Sequence, residues 1–178
     1  MSELLALDFT KRLTIKLISK EDLEEARLLH NEPSVLSNLQ NPNEVTVEMQ
    51  LKWFKSLNNS QTSFRYICRS KETSGLVGVF RVDNLDLNNR SVMIGLDVSE
   101  KFRRQGFATE IYSFFIDYFF IRVKLNRIHF NTLESNIPAR KLYEKLGFTI
   151  EGKQISAIMR YNNTFDLICY YKLNNTLN

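Results

Sequence analysis

A strand pattern, a basic turn and a helical pattern follow one another without a break between Ser91 and Tyr118. Residues 91–98 read SVMIGLDV, a run typical of a β-strand, and residues 101–106 then read KFRRQG. From Phe107 onward, apolar side chains recur at helical spacing as far as Tyr118, on one face of a helix of about four turns. This order restricts the centre of the chain to a strand, a tight turn and a helix.

The flanking segments continue this alternation along the chain. Their patterns predict the order β, α, α, β, β, β, α, β, α, β, β, which is a mixed sheet flanked by helices. The predicted strands cover residues 13–18, 64–69, 76–83, 91–98, 127–133, 150–159 and 164–172. Ser19 and Thr46 are candidate caps for the first two helices, and Pro138 and Gly147 mark the start and the end of the last one.

Length and charge indicate one domain with a mildly basic surface. The 178 residues, of which 43% are hydrophobic, are enough for one continuous core, so we expect a single domain spanning residues 1–178. The net charge of +4 favours acidic or phosphorylated partners and does not require nucleic acid. It equally fits a solvated surface without functional meaning.

Cysteine usage and hydropathy exclude several classes of protein. Cys68 and Cys169 form no CxxC spacing and have no clustered histidines, so we expect two buried free thiols and no metal site. The N-terminus lacks a secretory h-region. The most apolar run, residues 114–121, contains Asp117 and is too short to cross a membrane. We therefore expect a cytoplasmic protein with no membrane partner.

The basic turn has the features of a phosphate-binding segment. Gly106 carries no Cβ, so the main chain there can approach a phosphate closely, and Ala108 keeps the next turn slim. Arg103 and Arg104 add positive charge, and the start of the following helix presents N–H groups to an anion. Taken alone, the spacing R-x-x-G-x-A also fits a merely solvated basic turn.

The turn and the segment that follows it resemble the GNAT superfamily of N-acetyltransferases. Residues 103–108 match that family's coenzyme A pyrophosphate signature, Q/R-x-x-G-x-G/A, and residues 133–152 resemble its next motif, N-x-x-A-x-x-L-Y-x-K-x-G-F. The residues at the positions of this second motif are Asn136, Ala139, Leu142, Tyr143, Lys145, Gly147 and Phe148. The resemblance implies an α/β (α+β) fold with a mixed, mostly antiparallel seven-stranded sheet, splayed between its fourth and fifth strands and flanked by about four helices.

The same resemblance implies a site for acetyl-coenzyme A as co-substrate, without a metal. Backbone groups of Leu96, Asp97 and Val98 are expected to pair with the pantetheine amides, Asn136 is expected near the pantetheine arm, and Arg140 is assigned to the same cofactor site. The segment expected to hold the pyrophosphate consists of Arg103, Arg104, Gln105, Gly106, Phe107 and Ala108.

Tyr143 stands where this family usually places its general acid, next to the departing sulfur. A tyrosine with an ordinary pKa near 10 stays protonated at pH 7, so it is able to donate a proton to a thiolate leaving group. Without the motif, a ring packed on the apolar face of its helix would be the preferred interpretation of Tyr143.

The general base is not evident from the sequence. The positions at which many relatives carry a glutamate hold Met93 and Asn131. The remaining candidates are Asp83, Asp97, Glu134 and His129. A water chain, or loss of the amine proton to solvent before attack, would serve as well. The absence of a strong base leans slightly toward a weakly basic acceptor amine.

The acceptor is expected to be a small-molecule amine. A homodimer is a candidate assembly. The N-terminal and C-terminal segments look like the branch that includes ribosomal-protein N-terminal acetyltransferases and nucleotide-aminosugar N-acetyltransferases, and the second group looks closer. We therefore expect a nucleotide-linked amino sugar. The alternatives are a protein N-terminus, a polyamine, or a coenzyme A-binding module without turnover. Candidate contacts to a nucleotide are Trp53, Phe80, Arg81, Arg160 and Tyr161.

Overall fold

A seven-stranded mixed sheet organises the computed structural model, which describes residues 10–160 and 162–175. The spatial order of the strands is β1-β2-β3-β4-β5-β7-β6. The strands are β1 Leu13–Leu17, β2 Phe64–Ser70, β3 Leu76–Asp86, β4 Ser91–Val98, β5 Arg127–Leu133, β6 Thr149–Arg160 and β7 Asn163–Leu173. All neighbours pair antiparallel except β4 and β5, which are parallel. The predicted sheet is confirmed.

Five α-helices lie in the described part of the chain. They are α1 Leu23–His30, α2 Pro33–Leu36, α3 Val47–Asn58, α4 Phe107–Asp117 and α5 Ile137–Lys145. The predicted cap at Thr46 is present, because its side chain accepts a hydrogen bond from Met49 N. Ser19 precedes a 3-10 turn, Lys20–Asp22, that leads into α1. The short helix α2 is absent from the sequence prediction, since four residues carry no readable period.

The helices cover the two faces of the sheet with separate apolar cores. On one face, α4 packs Phe115 flat against Phe80 of β3, with ring centroids 3.7 Å apart. On the other face, α1, α2 and α3 cover Ile67 and Val79. Both cysteines are free, and Cys68 is buried in the first core, while Cys169 is only half-buried. The two layers hold the sheet rigidly on either side of its centre.

The strands β4 and β5 separate soon after they meet. Pairing joins Ser91–Met93 to Arg127–His129, and β4 makes no further pair with β5. From Ile94 onward, β4 is bonded only to β3, while β5 continues along β7 as far as Leu133. The backbone edges of β4 and β5 that face this gap are left without a strand partner. The splay expected between the fourth and fifth strands is confirmed.

Asp22 is a buried carboxylate that ties the sheet to the first helix. It accepts hydrogen bonds from Ser19 N at 3.0 Å and Ser19 Oγ at 2.7 Å, and it forms ion pairs with Lys16 and Arg69. Burial alone would raise the pKa of Asp22, but the hydrogen bonds from Lys16, Ser19 and Arg69 outweigh burial and lower it to about 2. The ionised form is therefore stabilised by folding.

We expect Asp22→Asn to destabilise the fold by about 2 kcal/mol at pH 7. Because the pKa is lowered in the folded state, this contribution is present above about pH 4 and is lost as the pH falls toward 2. Urea unfolding of both proteins at pH 7 and pH 3 measures it, with the exposed Asp117→Asn as control. An Asp22→Asn deficit of the same size at both pH values would contradict this assignment.

Candidate active site

A cavity of about 780 Å³ passes through the gap between β4 and β5. One end of it is lined by the start of α4 and by Tyr143 of α5. The opposite end is lined by α1, by α2 and by the residues that follow α2, including His30 and Asn38. The cavity therefore connects the two faces of the sheet at the gap where β4 and β5 are no longer paired.

The turn before α4 presents main-chain N–H groups to this cavity. Arg104 has φ +59° and Gly106 has φ +81°, so both residues, which are separated only by Gln105, adopt left-handed conformations. Such a turn at a helix N-terminus forms a concave nest of amides that suits an anion. The residues of this segment that line the cavity are Arg103, Arg104, Gly106, Phe107 and Ala108. The local geometry fits a diphosphate.

Two polar side chains of the turn stabilise the loop itself. Arg103 donates from Nε and Nη2 to the carbonyl oxygen of Val98, at 3.0 and 2.9 Å. Gln105 donates from Nε2 to the carbonyl oxygen of Lys101 at 2.8 Å, and Gln105 does not line the cavity. In this structure Arg103 fastens the end of β4 to the turn, and Gln105 closes the turn upon itself.

Arg12, which the sequence analysis did not identify, lies directly beside this turn. Its Nη1 donates to the carbonyl oxygen of Gln105 at 3.0 Å, and its guanidinium stacks over the ring of Phe107 at 4.2 Å. Glu110 of α4 holds it through Nε at 2.7 Å. Arg12 thus adds a positive charge at the mouth of the amide nest. No motif signals it, because β1 reaches α4 only through the tertiary fold.

The remaining residues predicted to bind the cofactor divide into two groups. Leu96, Asp97, Val98 and Asn136 line the cavity, and the Oδ1 atom of Asn136 also caps α5 by accepting from Ala139 N at 3.3 Å. Arg140 does not line the cavity. Its Nη1 donates to the carbonyl oxygen of Glu134 at 3.1 Å, and its Nε lies 3.4 Å from the hydroxyl of Tyr170. A cofactor contact from Arg140 has no support in this geometry.

Tyr143 lies at the centre of an aromatic cluster with its edge on the cavity. Its ring packs 4.4 Å from Phe130 and 5.7 Å from Tyr112, centroid to centroid, and it is 9% exposed. Burial raises the pKa of Tyr143, and the neighbouring Tyr112 hydroxyl and the charge of Arg81 partly oppose that rise. The hydroxyl is therefore protonated at neutral pH, as a proton donor must be.

Of the four candidate bases, Asp97 alone lines the cavity. Asp83 is paired with Arg65 at 2.8 Å, and Glu134 is paired with Lys153 at 2.8 Å. Burial and the charge of Arg127 lower the pKa of His129, which does not line the cavity.

Met93 and Asn131 stand where the family resemblance implies a glutamate base, and they offer no base here. Asn131 lines the cavity and accepts a hydrogen bond from Gln40, while Met93 does not line it.

Of the residues considered for a nucleotide, Arg81 alone lines the cavity among those that the structure describes. Phe80 is fully buried beneath Phe115, and Trp53 packs in the core of the other face. Arg160 donates to the carbonyl oxygen of Ser37 at 3.1 Å. Tyr161 lies outside the described residues. The structure therefore does not bring the four described side chains together as a nucleotide site.

The described residues contain neither a metal-binding cluster nor a membrane-spanning helix. No group of three or more His, Cys, Asp or Glu side chains in residues 10–160 and 162–175 is placed to hold a metal ion. None of the helices in the same part of the chain combines the length and the hydropathy of a membrane span.

Comparison with known proteins agrees with this geometry. The model of the family described as "Acetyltransferase (GNAT) domain" matches residues 12–149. The putative ribosomal N-acetyltransferase YdaF of Bacillus subtilis is 32% identical over 98 residues, which are 55% of this chain and 53% of that protein. The spermidine N(1)-acetyltransferase of Escherichia coli K12 is 26% identical over 138 residues, covering 76% and 72%.

A solved structure extends the likeness to the whole fold. The spermidine N-acetyltransferase of Vibrio cholerae, crystallised with CoA and spermine, superposes with a TM-score of 0.86 at 20% sequence identity, covering 95% of this chain and 100% of that one. The chain belongs to the GNAT acetyltransferase family. It is an acetyl-CoA-dependent acyltransferase that acts on an amine.

Proposed function

We propose that this protein transfers the acetyl group of acetyl-CoA to a primary amine of an aliphatic polyamine. The observation that carries this proposal is the cavity through the sheet, which has an amide nest and Tyr143 at one end and, at the other, a pocket lined by side-chain amides and by Asp97. The spermidine N-acetyltransferases among the relatives favour a polyamine among the amines that such a pocket would admit.

The second end of the cavity has chemistry suited to a flexible cation. Side-chain amides line it, and the carboxylate of Asp97 is exposed to it. The amides are those of Asn38, Gln40, Asn41 and Asn131. Their carbonyl oxygens accept hydrogen bonds from N–H groups, and a carboxylate binds an ammonium ion more strongly than a neutral acceptor does. A chain of amines offers donors at each of these positions.

The nucleotide-linked amino sugar expected from the sequence has less support. Neither of the named substrate classes among the relatives reported above is a sugar. The side chains considered for a base and a diphosphate are dispersed, and Arg81 alone among the described ones reaches the cavity. We therefore prefer the polyamine, which the sequence analysis held as an alternative.

Each end of the cavity has a distinct task in this proposal. The amides of Arg104 through Ala108 and the charges nearby hold the diphosphate, and the free edge of β4 lines the arm that leads to the thioester. Nitrogen attacks the thioester carbon, the new C–N bond forms, and the C–S bond breaks. As the amide forms, the attacking nitrogen loses one proton to solvent, while the Tyr143 hydroxyl gives its proton to the departing sulfur and recovers one from solvent.

Release of free thiol from acetyl-CoA tests the proposal. We expect kcat/KM for spermidine and spermine to exceed that for amino sugars, for nucleotide-linked amino sugars and for peptides with free N-termini by about tenfold or more. A mass increase of one acetyl group on the amine confirms the product. Preference for a peptide would favour the ribosomal-type alternative instead.

The same assay separates a second outcome. Binding of acetyl-CoA by calorimetry with no thiol release from any amine of the panel would indicate a coenzyme A-binding module without turnover, and it would overturn the proposed function.

A further inference from the structure

The side chain of Arg81 lies in the wall of the cavity, in space that is open because residue 95 is a glycine. Arg81 of β3 lies opposite Gly95 of β4, so both point to the same face of the sheet. A Cβ atom at Gly95 would lie 2.7 Å from Nη2 and 2.9 Å from Nε of Arg81. The guanidinium therefore lies directly against the backbone of β4, a position that any larger residue at 95 would obstruct.

The guanidinium of Arg81 has few hydrogen-bond partners in this position. Its nearest carboxylate is that of Asp97, with Nη2 and Oδ1 3.7 Å apart, and Nε of Arg81 is buried without a hydrogen-bond partner among the described residues. By contrast, Arg65 on the neighbouring strand donates to Asp83 at 2.8 Å and to the carbonyl oxygen of Val82 at 3.0 Å. Arg81 thus keeps unused hydrogen-bonding capacity, and both Arg81 and Asp97 line the cavity.

The side chains of Arg81 and Asp97, which are 37% and 14% exposed, line the same cavity as Tyr143 and Tyr112. Arg81 is close enough to Tyr143 and Tyr112 for its charge to lower the pKa of each hydroxyl against the larger effect of burial. The other titratable or charged groups around it are the Arg65–Asp83 ion pair of β2 and β3, and His30, Arg103 and Arg104, which line the same cavity. In the ion pair the two charges oppose one another, and Arg103 is directed to the carbonyl oxygen of Val98.

The site has a proton to remove and no glutamate to remove it. A primary amine binds as an ammonium ion and must become neutral before it attacks, yet Met93 and Asn131 occupy the usual positions of the base. A positive charge a few ångströms away lowers the pKa of an ammonium ion, and a negative one raises it. Arg81 and Asp97 supply both charges at one place.

We infer that Arg81 and Asp97 form a balanced charge pair that sets the protonation state of the bound acceptor amine. Asp97 accepts a hydrogen bond from the nitrogen and holds it, and Arg81 offsets the attraction of Asp97 for the ammonium form. The proton passes to solvent before the C–N bond forms. Gly95 is the positioning residue that lets the guanidinium lie there. This inference rests on the proposed function.

The pH dependence of kcat tests the pair, because kcat reports ionisations in the enzyme–substrate complex whereas kcat/KM reports those of the free species. With saturating acetyl-CoA and spermidine, Arg81→Met should move the rising limb of the pH profile of kcat to higher pH by about one pH unit or more. The same substitution should lower kcat at pH 7 about tenfold and lower KM. Asp97→Asn should move the limb to lower pH and raise KM. If spermidine is not turned over, the panel amine with the highest kcat/KM replaces it.

Three further variants separate the charge effect from a structural one. The double variant Arg81→Met/Asp97→Asn should return the limb toward its wild-type position, and Arg81→Lys should largely keep it there because the charge remains. Arg65→Met removes a buried arginine one strand away, so it should lower Tm and leave the limb in place. The limb of kcat/KM attributable to the free amine should be the same in all of them.

The outcomes are distinct. Identical kcat limbs in the wild type, Arg81→Met and Asp97→Asn would overturn the inference and leave the acetyltransferase function standing. A limb that moves equally in Arg65→Met would also overturn it. No turnover of any amine by the wild type would overturn the proposed function, and the inference would fall with it.

Discussion

Gly106→Trp should abolish coenzyme A binding without unfolding the protein. Gly106 has φ +81°, and a Cβ there would meet only Nη2 of Arg12 at 3.5 Å, so the indole has room to project into the amide nest. It would then fill the space intended for the diphosphate. We expect the Kd for coenzyme A, measured by calorimetry, to rise about a hundredfold or more.

The substitution carries a stability cost that must be separated from the binding effect. A left-handed φ at a residue with a side chain costs about 1 to 3 kcal/mol, which lowers Tm but leaves the domain folded. Gly152→Trp is the matched control, because a Cβ at Gly152 meets nothing within 4 Å and the position lies on β6 away from the nest. Wild-type affinity in folded Gly106→Trp would remove this turn from the donor site.

Tyr143→Phe should lower kcat about a hundredfold while leaving coenzyme A affinity unchanged. The phenylalanine ring keeps the contacts with Phe130 and Tyr112, and only the hydroxyl that would protonate the leaving sulfur is lost. A positioned general acid contributes about a hundredfold to ten-thousandfold to a rate. Steady-state thiol release and calorimetric binding measure the two quantities separately.

Tyr170→Phe provides the comparison within the same aromatic cluster. Tyr170 packs 5.4 Å from Tyr143, is fully buried and does not line the cavity. Losing its hydroxyl tests whether any disturbance of the cluster slows turnover. Equal kcat in Tyr143→Phe and the wild type would assign Tyr143 to packing alone, the reading that its burial would otherwise favour.

The sequence predicts the centre of the fold well because the central strands are apolar runs bounded by turn residues. The predicted bounds of β4 and β5 coincide with the structure. The ends of β3 and β6 are less predictable, since Asp86 and Arg160 are polar residues whose strand conformation depends on cross-strand bonding. Local pattern therefore identifies the elements, and the sheet decides where they stop.

The candidate site likewise contains residues that a local motif identifies and residues that only the tertiary fold brings together. A motif within one continuous segment identifies the amide nest around Gly106 and places Tyr143 on its helix. Arg12 and the contact between Arg81 and Gly95 join segments far apart in the chain, so no spacing signals them. Arg140 shows that a motif does not fix where a side chain points, because its guanidinium donates to the carbonyl oxygen of Glu134.

The short parallel contact between β4 and β5 has a kinetic consequence. Beyond Met93 the two edges are apart, so an elongated donor seated in the gap would complete the wall that the amine faces. An acceptor entering first would find one side of its pocket open to solvent. The two substrates should therefore add in a compulsory sequence, with the thioester leading and the amine following.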